Sequence, residues 1–278
     1  MSTTIAKLTP LGLVPMPYAV ETLHEAVAME PDGIYDVTRI YTGGKALLLD
    51  AHFDRIDHSA KLERIPMQVD RLATRKAVKT LFERSGYEQA RLRFAVGYDH
   101  PDEIIISMEP FAEEAKYLAG LRAKGVAVGT HTIVRSNPRA KTNAWVRQRQ
   151  KTRASLGIDA YEVIICNQTG NLLEGFSSNF YAIKSGQLYT ALEGVLPGIM
   201  RKVVLEIAPD ILPLVTEPVR CDGAADLQEA FLTSSTRGII PIVKIDDIVV
   251  GDGKPGAWTK RLLDAFDQWV TAHLEPIA

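Results

Sequence analysis

The sequence has few cysteines and no long apolar run. Cys166 and Cys221 are the two cysteines among 278 residues; they form no CxxC pair and have no histidine nearby in sequence. We therefore expect neither a disulfide framework nor a zinc site, and a reducing cytoplasm fits best. No stretch of about 18 apolar residues is present, and the N-terminus lacks the basic and apolar regions of a signal peptide. We expect a chain that is neither exported nor inserted in a membrane.

The charge pattern lacks the basic stripe that is typical of nucleic-acid-binding proteins. The 32 Lys and Arg and the 34 Asp and Glu give a formal net charge of -2, and both signs are mixed along the chain. Binding driven by the DNA or RNA backbone needs clustered positive charge, so we predict no nucleic-acid partner. Hydrophobic residues make up 46% of the chain, which is enough for one large domain or two of moderate size.

The first half of the chain alternates strand and helix patterns. Residues 33–50, GIYDVTRIYTGGKALLLD, predict a hairpin with its turn at Gly43 and Gly44. Helical spacing follows over DAHFDRIDHSAKLERI, with Arg55 in its first turns, and a second helix is predicted over RLATRKAVKTLFERSG, ending at Gly86. The segments ARLRFAVGYD and EIIISMEPF then predict a further strand pair.

The charged segment AEEAKYLAGLRAKG lacks a strong apolar period and is the best candidate for a linker. Beyond it we predict the strand VAVGTHTIV, a helix from about Ala144 to Leu156, several strands with a helix at MRKVVLEIA, and a last helix after Gly256. The whole pattern indicates an α+β protein. We predict an N-terminal α/β domain at residues 1–115, a linker at 116–126 and a C-terminal domain at 127–278.

Four polar features combine into a possible site for chemistry. They are Lys141 at the entry to a helix, Glu174 at the end of an apolar strand, the hydroxyl cluster TSST at 233–236, and Arg55. An amine, a carboxylate and an anion site suit pyridoxal phosphate, which needs a Schiff-base lysine, a partner for its ring nitrogen and donors for its phosphate. Each feature alone also has an ordinary explanation: a solvent-facing loop lysine, a strand-end acid, hydroxyls that cap a turn, and a salt bridge on a helix surface.

The order and spacing of several motifs resemble a known family. LLEGFSSNFYAIKSGQLYT, GVLPGIMRKVV and AFLTSSTRGIIPIVKID resemble the C-terminal signature of the fold-type IV pyridoxal-phosphate enzymes, which include branched-chain and D-amino-acid aminotransferases and aminodeoxychorismate lyase. GIYDVTRIY and AHFDRIDHSAKLERI resemble the matching N-terminal segments, so the similarity runs from about Gly33 to Leu263. The resemblance implies a two-domain enzyme with pyridoxal 5'-phosphate as cofactor, a smaller N-terminal α/β domain and a larger, β-barrel-like C-terminal domain with helices that binds the cofactor.

The resemblance also implies a role for each polar feature. Lys141 in RAKTN matches the Schiff-base lysine that moves the substrate α-proton, whereas its rival Lys124 does not match. Glu174 matches the acid that pairs with the pyridine nitrogen, and Arg55 matches the phosphate-binding arginine. The remaining implied cofactor contacts are Ser178, Asn179, Ile199, Met200, Ser235 and Thr236.

The phosphate loop PGIM combines agreement with a departure. The backbone N–H groups of Ile199 and Met200 begin a helix and can bind an anion there. The family usually has a hydroxyl residue where Met200 stands, so one phosphate hydrogen bond is missing or supplied otherwise. Ser235 and Thr236 are implied to complete the phosphate site and part of the site for the substrate carboxylate.

The substrate side is implied by residues of two strands. Tyr35 and Arg39 lie two strand periods apart and share a face, which the resemblance places over the cofactor. Arg93 matches a region where relatives have a carboxylate-binding arginine, and Arg91 shares its face, so alternation alone does not rank the two. Tyr35 equally fits a core position.

Other features of the substrate side remain open. Arg39 equally fits an ion pair with Asp36 or Asp50. The segment ETLHEAVAMEPD before Gly33 lacks the Asp-Arg-Gly and Tyr/Phe-Gly-Asp-Gly runs of the family, and Val146 stands where branched-chain enzymes have a tyrosine. Substrate specificity is therefore not inherited from any one subgroup.

The leading hypothesis is an aminotransferase that uses a Lys141 Schiff base to move an amino group from a small-molecule amino donor to a keto-acid acceptor. One alternative is a lyase that eliminates pyruvate from aminodeoxychorismate, and another is a non-catalytic binding protein of the same fold. The intact Lys141, Glu174 and Arg55 argue against the last. The resemblance further implies a homodimer, with the site between the two domains and near the dimer interface.

Overall fold

The structure is a computed structural model that describes residues 3–157 and 159–278. The chain folds into two compact units, each packed mainly against itself. Unit 1 consists of Met1–Ala115, Ala140–Arg147 and His273–Ala278, and unit 2 of Lys116–Arg139 and Gln148–Ala272. The short segment that carries Lys141 therefore belongs to unit 1, although it follows a stretch of unit 2 in sequence.

Strands and helices alternate along the described residues. The strands are β1 (Thr4–Thr9), β2 (Gly12–Pro15), β3 (Gly33–Tyr41), β4 (Lys45–Leu47), β5 (Ala90–Gly97), β6 (Ile104–Pro110), β7 (Val126–Thr132), β8 (Glu162–Cys166), β9 (Leu172–Gly175), β10 (Ser178–Lys184), β11 (Gln187–Tyr189), β12 (Leu214–Val215), β13 (Glu229–Ser234), β14 (Gly238–Ile245), β15 (Ile248–Val249) and β16 (Leu274–Pro276). The helices are α1 (Leu23–Met29), α2 (Leu49–Leu62), α3 (Arg71–Ser85), α4 (Ala112–Lys124), α5 (Asn143–Leu156), α6 (Ile199–Ile207) and α7 (Ala257–Ala272).

Unit 1 is built on a seven-stranded antiparallel sheet with the order β16-β4-β3-β5-β6-β1-β2. The predicted hairpin is confirmed, because β3 and β4 pair across the turn at Gly43 and Gly44. Successive side chains of a strand point to opposite faces. One face packs on α2 and α3, where Phe53 of α2 meets Phe94 of β5 edge to face at 5.7 Å between ring centroids. The other face carries Tyr35.

Unit 2 contains a nine-stranded sheet. Six of its strands, β7, β8, β9, β10, β13 and β14, form a closed ring, because β9 pairs with both β8 and β10. Apolar side chains fill the interior of this unit, and the rings of Tyr181 and Phe231 stack there at 4.6 Å between centroids. The predicted α+β class with a barrel-like strand arrangement is confirmed.

The segment predicted as a linker, residues 116–126, has regular structure. Helix α4 covers Ala112–Lys124, and β7 begins at Val126. Its sequence is rich in Ala, Glu, Lys and Leu, which favour helix, but the helix buries only Leu118 and so shows no apolar period. The domain boundaries stay a prediction.

The expectation for the two cysteines was wrong. Cys166 at the end of β8 and Cys221 at the start of the 3-10 helix Cys221–Asp226 form a disulfide. The turn after β8 brings them together, since the Cys221 N–H donates to the Gly170 carbonyl at 2.8 Å and the Leu172 N–H to the Val219 carbonyl at 2.8 Å. The cysteines are 55 residues apart in sequence, so their spacing gave no sign of this proximity.

Membrane-spanning helices and metal clusters are both absent from the described residues. None of the described helices has both the length and the apolar character that crossing a membrane requires. Within the same residues, no group of three or more His, Cys, Asp or Glu side chains is placed to hold a metal ion.

Candidate active site

Lys141 occupies a loop position that the backbone of unit 1 holds in place. Its carbonyl accepts a hydrogen bond from the Tyr35 N–H at 3.0 Å, and its own N–H donates to Ser59 Oγ of α2 at 3.2 Å. The next residue, Thr142, bridges to Ile34 of β3. The Lys141 Nζ lies 4.8 Å from the centroid of the Tyr35 ring. The predicted Schiff-base lysine is thus a partly buried residue whose backbone is held by β3 and α2.

Arg55 of α2 is buried and held by Asp36 of β3. Its Nε donates to Asp36 Oδ2 and its Nη2 to Asp36 Oδ1, both at 2.7 Å, and His52 Nδ1 lies 2.7 Å from the same Oδ1. Asp36 and His52 are fully buried and Arg55 is 7% exposed. The Arg55 Nη1 donates no hydrogen bond to any described residue. A surface salt bridge is therefore the wrong description of Arg55.

The charges of this cluster are set by mutual contact. Burial alone would raise the pKa of Asp36, but the adjacent Arg55 and His52 outweigh it and hold that pKa well below its usual range. Burial lowers the pKa of His52, and the attraction of Asp36 only partly opposes this. At neutral pH we therefore expect a neutral His52 that donates from Nδ1 to Asp36. Its Nε2 is buried without a hydrogen-bond partner in the structure.

Acidification is expected to destabilise the protein through His52. Its folded pKa lies below the ordinary value of about 6.5, so the unfolded chain binds a proton first as pH falls, and the stability that neutral His52 contributes is lost. Asp36 adds a further loss only below about pH 4. Denaturant unfolding of the wild type between about pH 7.5 and pH 5.5 should show a slope up to about 1.4 kcal/mol per pH unit steeper than that of His52→Asn. The exposed His24→Gln is the control, and equal slopes for wild type and His52→Asn would contradict the assignment.

Arg93 lies on the Tyr35 face of the sheet and already has acceptors for its guanidinium. Its Nε donates to Glu30 Oε1 at 2.7 Å, and its Nη2 donates to Glu30 Oε2 at 2.5 Å and to Asn143 Oδ1 at 2.8 Å. The guanidinium carbon lies 4.0 Å from the centroid of the Tyr35 ring. Arg93 and Glu30 are 3% and 7% exposed.

The other two arginines of this face also have partners. Arg39 donates from Nη2 to Gln89 Oε1 at 2.6 Å and lies over the rings of Tyr41 and Phe111. Arg91 pairs with Glu109 at 2.8 Å and with Glu114 at 3.3 Å. The two acids considered as partners of Arg39 have other cations: Asp36 pairs with Arg55 and Asp50 with Arg71 and Arg75.

Glu174 lies in β9 of unit 2, surrounded by donors. Its Oε1 accepts from Arg135 Nη1 at 2.6 Å, and its Oε2 accepts from the Leu196 N–H at 2.9 Å and from Asn179 Nδ2 at 3.4 Å. Glu174 is 2% exposed and the Arg135 side chain 8%. This is a buried, fixed carboxylate rather than a solvent-facing strand end. Sequence reasoning missed Arg135.

A second buried acid, Glu162, organises the polar turns of unit 2. Ser178 Oγ donates to Glu162 Oε2 at 3.2 Å, Ser177 Oγ donates to the same oxygen, and Arg237 Nη2 lies 3.3 Å from it. Burial would raise the pKa of Glu162, but Arg237 and Ser177 more than offset this and lower it. Ser178 is thus tied to Glu162. Neither Glu162 nor Arg237 was predicted, although Arg237 directly follows the TSST cluster.

The PGIM loop leads into α6 as predicted. Gly198 is the N-cap and supplies no side-chain hydrogen bond, so the N–H groups of Ile199 and Met200 lie in the first turn, where helix N–H groups have no partner within the helix. A Cβ at Gly198 would collide with Asn179 Oδ1. Ser235 and Thr236 lie in the turn between β13 and β14 and are half-buried.

The profile of the Amino-transferase class IV family matches residues 33–245. The chain belongs to this family. A branched-chain-amino-acid aminotransferase of Pseudomonas aeruginosa is 25% identical over 262 residues, which are 87% of this chain and 85% of that protein. A D-alanine aminotransferase of Staphylococcus haemolyticus is 29% identical over 262 residues, 87% of this chain and 89% of that protein.

Solved structures agree with this class IV aminotransferase in fold. A branched-chain amino acid aminotransferase of T.th., solved with pyridoxamine 5'-phosphate, superposes with a TM-score of 0.80 at 21% identity, covering 99% of this chain and 98% of that one. The predictions of a fold-type IV architecture and of an aminotransferase acting on an amino donor and a keto acid are confirmed. The aminotransferase function is supported over the lyase and the non-catalytic alternatives by the family and by these relatives. Pyridoxal phosphate is the cofactor of the family.

Each of the two units, taken by itself, carries groups of the kind that this cofactor needs. Unit 1 provides the amine of Lys141 and the Nη1 of Arg55, whose N–H groups donate to no described residue. Unit 2 by itself provides the buried carboxylate of Glu174 and N–H groups at the start of α6, after Gly198, whose lack of a Cβ lets Asn179 approach closely. The roles of the individual residues stay predictions.

Proposed function

We propose that the aminotransferase binds pyridoxal phosphate through Lys141, Arg55, Glu174 and the first amides of α6, and that it exchanges amino groups between an amino donor and a keto acid. The observation that best supports this is preorganisation. The backbone of Lys141 is fixed by β3 and Ser59, and the side chains of Arg55 and Glu174 are fixed by Asp36 and Arg135. Groups that must act on one small molecule work best when held in place beforehand.

When bound, pyridoxal phosphate supplies the group that carries the amino nitrogen and a ring that accepts electrons as the substrate α-proton leaves. The Lys141 amine removes that proton from the donor. In the second half of the exchange it gives a proton to the α-carbon of the amino acid that is formed from the keto acid. Arg55 would pair with the phosphate dianion through Nη1, since its Nε and Nη2 already donate to Asp36. The Glu174 carboxylate favours a protonated pyridine nitrogen.

Met200 contributes its backbone N–H rather than a side-chain hydroxyl. Its side chain is 3% exposed and packs in the interior of unit 2. Hydrogen bonds to charged groups are worth about 1.5–3 kcal/mol, so we propose modest affinity for the cofactor, with Ser235 and Thr236 as further donors.

We further propose that the protein is a homodimer, which the family resemblance supports and which light scattering of the purified protein measures directly.

We also propose a cytoplasmic location. The Cys166–Cys221 bond weighs against that location, since disulfides are rare in reducing compartments. Labelling of free thiols in protein taken directly from cells tests this point.

The experiment that tests the function is the visible absorption spectrum of the purified protein with added pyridoxal phosphate. We expect a visible band that one class of amino donor removes and that a keto acid restores. Donors to try are L-amino acids, D-amino acids and simple chiral amines. The absence of any band would contradict the cofactor assignment. A band that no donor removes, with pyruvate released from aminodeoxychorismate, would favour the lyase.

A further inference from the structure

The Glu30–Arg93 pair is a buried ion pair near Lys141 that the proposed mechanism does not use. Glu30 directly follows α1, in the segment ETLHEAVAMEPD that departs from the family pattern. Its two carboxylate oxygens accept from Nε and Nη2 of Arg93. This is the planar, two-point geometry in which a guanidinium recognises a carboxylate. Glu30 therefore occupies the position that a substrate carboxylate would take on Arg93.

The pair is adjacent to the amine that carries out the chemistry. The Tyr35 ring is in contact with both cations, the Arg93 guanidinium carbon at 4.0 Å and the Lys141 Nζ at 4.8 Å from its centroid. A substrate group that lies against Tyr35 thus meets an arginine whose charge Glu30 already neutralises. The Oδ1 of Asn143 accepts a further hydrogen bond from Nη2 of Arg93.

Apolar residues form another part of the surroundings of Tyr35. Val146 stands where a tyrosine is usual in branched-chain relatives, and it packs in one cluster with Tyr35. The other members of that cluster are Ala95 and Ile105, with Ile5, Met16, Val27 and Val37 packed against it. A second carboxylate placed against Arg93 would lose its water and lie beside Glu30, which already balances the charge of that arginine, and this is unfavourable.

We propose that Glu30 is a specificity-determining residue: by occupying Arg93 it excludes dicarboxylic amino donors and reserves the position at Tyr35 for an uncharged, apolar substituent. The inference rests on the proposed function. It accounts for both departures on the substrate side, the segment that contains Glu30 and the Val146 position, by one property of the site.

The test compares two donors that differ in one group. Glutamate and norvaline share the α-amino and α-carboxylate groups and differ in a distal carboxylate or methyl, so the rest of the site sees the same molecule. For the holoenzyme we expect norvaline, as one of its enantiomers, to remove the visible band at least about tenfold faster than the same enantiomer of glutamate. This is the size expected of one unmatched charge contact.

Glu30→Gln should remove the charge that neutralises Arg93 and raise the rate with glutamate about tenfold or more, while the rate with norvaline changes less than about threefold. Glu30→Gln combined with Arg93→Gln should lose this gain and return to the preference for norvaline. The double variant also serves if the single one folds poorly, because it leaves no unpaired buried charge. Glu103→Gln, which removes the partner of Lys7 in a half-buried pair of unit 1, is the matched control and should change neither rate.

A wild type that accepts both donors equally well, or a Glu30→Gln variant with an unchanged ratio of rates, would overturn the inference. A merely structural role of Glu30 predicts equal losses for both donors. These outcomes differ from failure of the proposed function, in which no donor removes the band or no band forms.

Discussion

Replacing Lys141 with alanine is expected to lower turnover at least about a thousandfold. General acid–base catalysis alone contributes about 10²–10⁴ in rate, and Lys141 is proposed both to hold the cofactor covalently and to move the substrate α-proton. The backbone hydrogen bonds that fix this loop, from the Tyr35 N–H and to Ser59 Oγ, do not involve the side chain, so the variant should fold. Steady-state formation of keto acid from the best donor measures the effect, because the visible band itself is expected to depend on Lys141.

Lys124→Ala is the matched control for Lys141. Lys124 is the last residue of α4 and is exposed, and it was the competing candidate for the Schiff-base lysine. We expect it to keep wild-type turnover and the visible band. Loss of the band in Lys124→Ala, with the band kept in Lys141→Ala, would reverse the assignment.

Asp36→Asn is expected to destabilise unit 1 by about 3–5 kcal/mol, because it leaves the buried Arg55 charge without its counter-charge. The same change should weaken cofactor binding, since an amide has one acceptor oxygen in place of two and Arg55 loses at least one of the hydrogen bonds that orient it. Denaturant unfolding of the cofactor-free protein gives the first quantity and titration with pyridoxal phosphate the second. Added cofactor should recover part of the lost stability, because its phosphate supplies a negative charge to Arg55.

Asp54→Asn tests whether burial is the cause. Asp54 lies in α2 like Arg55 and pairs with Arg71 at 2.6 Å, but the two side chains are 67% and 39% exposed. Surface pairs of this kind contribute about 0–1 kcal/mol, so this variant should unfold almost like the wild type. A similar, small effect for both substitutions would mean that the Asp36 cluster does not hold Arg55 as proposed.

The sequence predicted those parts of the site that depend on residues close together in the chain. The hairpin of β3 and β4, the shared face of Tyr35 and Arg39, and the start of α6 after PGIM follow from alternation and from turn residues a few positions apart. The roles of Lys141, Glu174 and Arg55 were suggested by motifs whose order identified the family.

The partners of those residues were not predictable in the same way. Glu30 and Arg93 are 63 residues apart in sequence, and Arg135 and Glu174 are 39 apart. Which acid meets which arginine depends on the sheet register and on the path of α1, and neither is encoded in local periodicity. The disulfide was not predicted for the same reason. Helix α4 was not predicted because only one of its residues is buried, so its sequence has no periodic pattern of apolar residues.

Strand β9, which carries Glu174, has hydrogen-bonded neighbours on both sides, β8 and β10. In a strand, a slip by one residue turns every side chain to the opposite face, so a slip in β9 would replace the buried Glu174 with Leu173 or Gly175. Two ladders oppose such a slip at once, whereas a strand at a sheet edge is held by one. Substitutions in the turns that precede and follow β9 can therefore change the shape of their surroundings while the acid keeps its place.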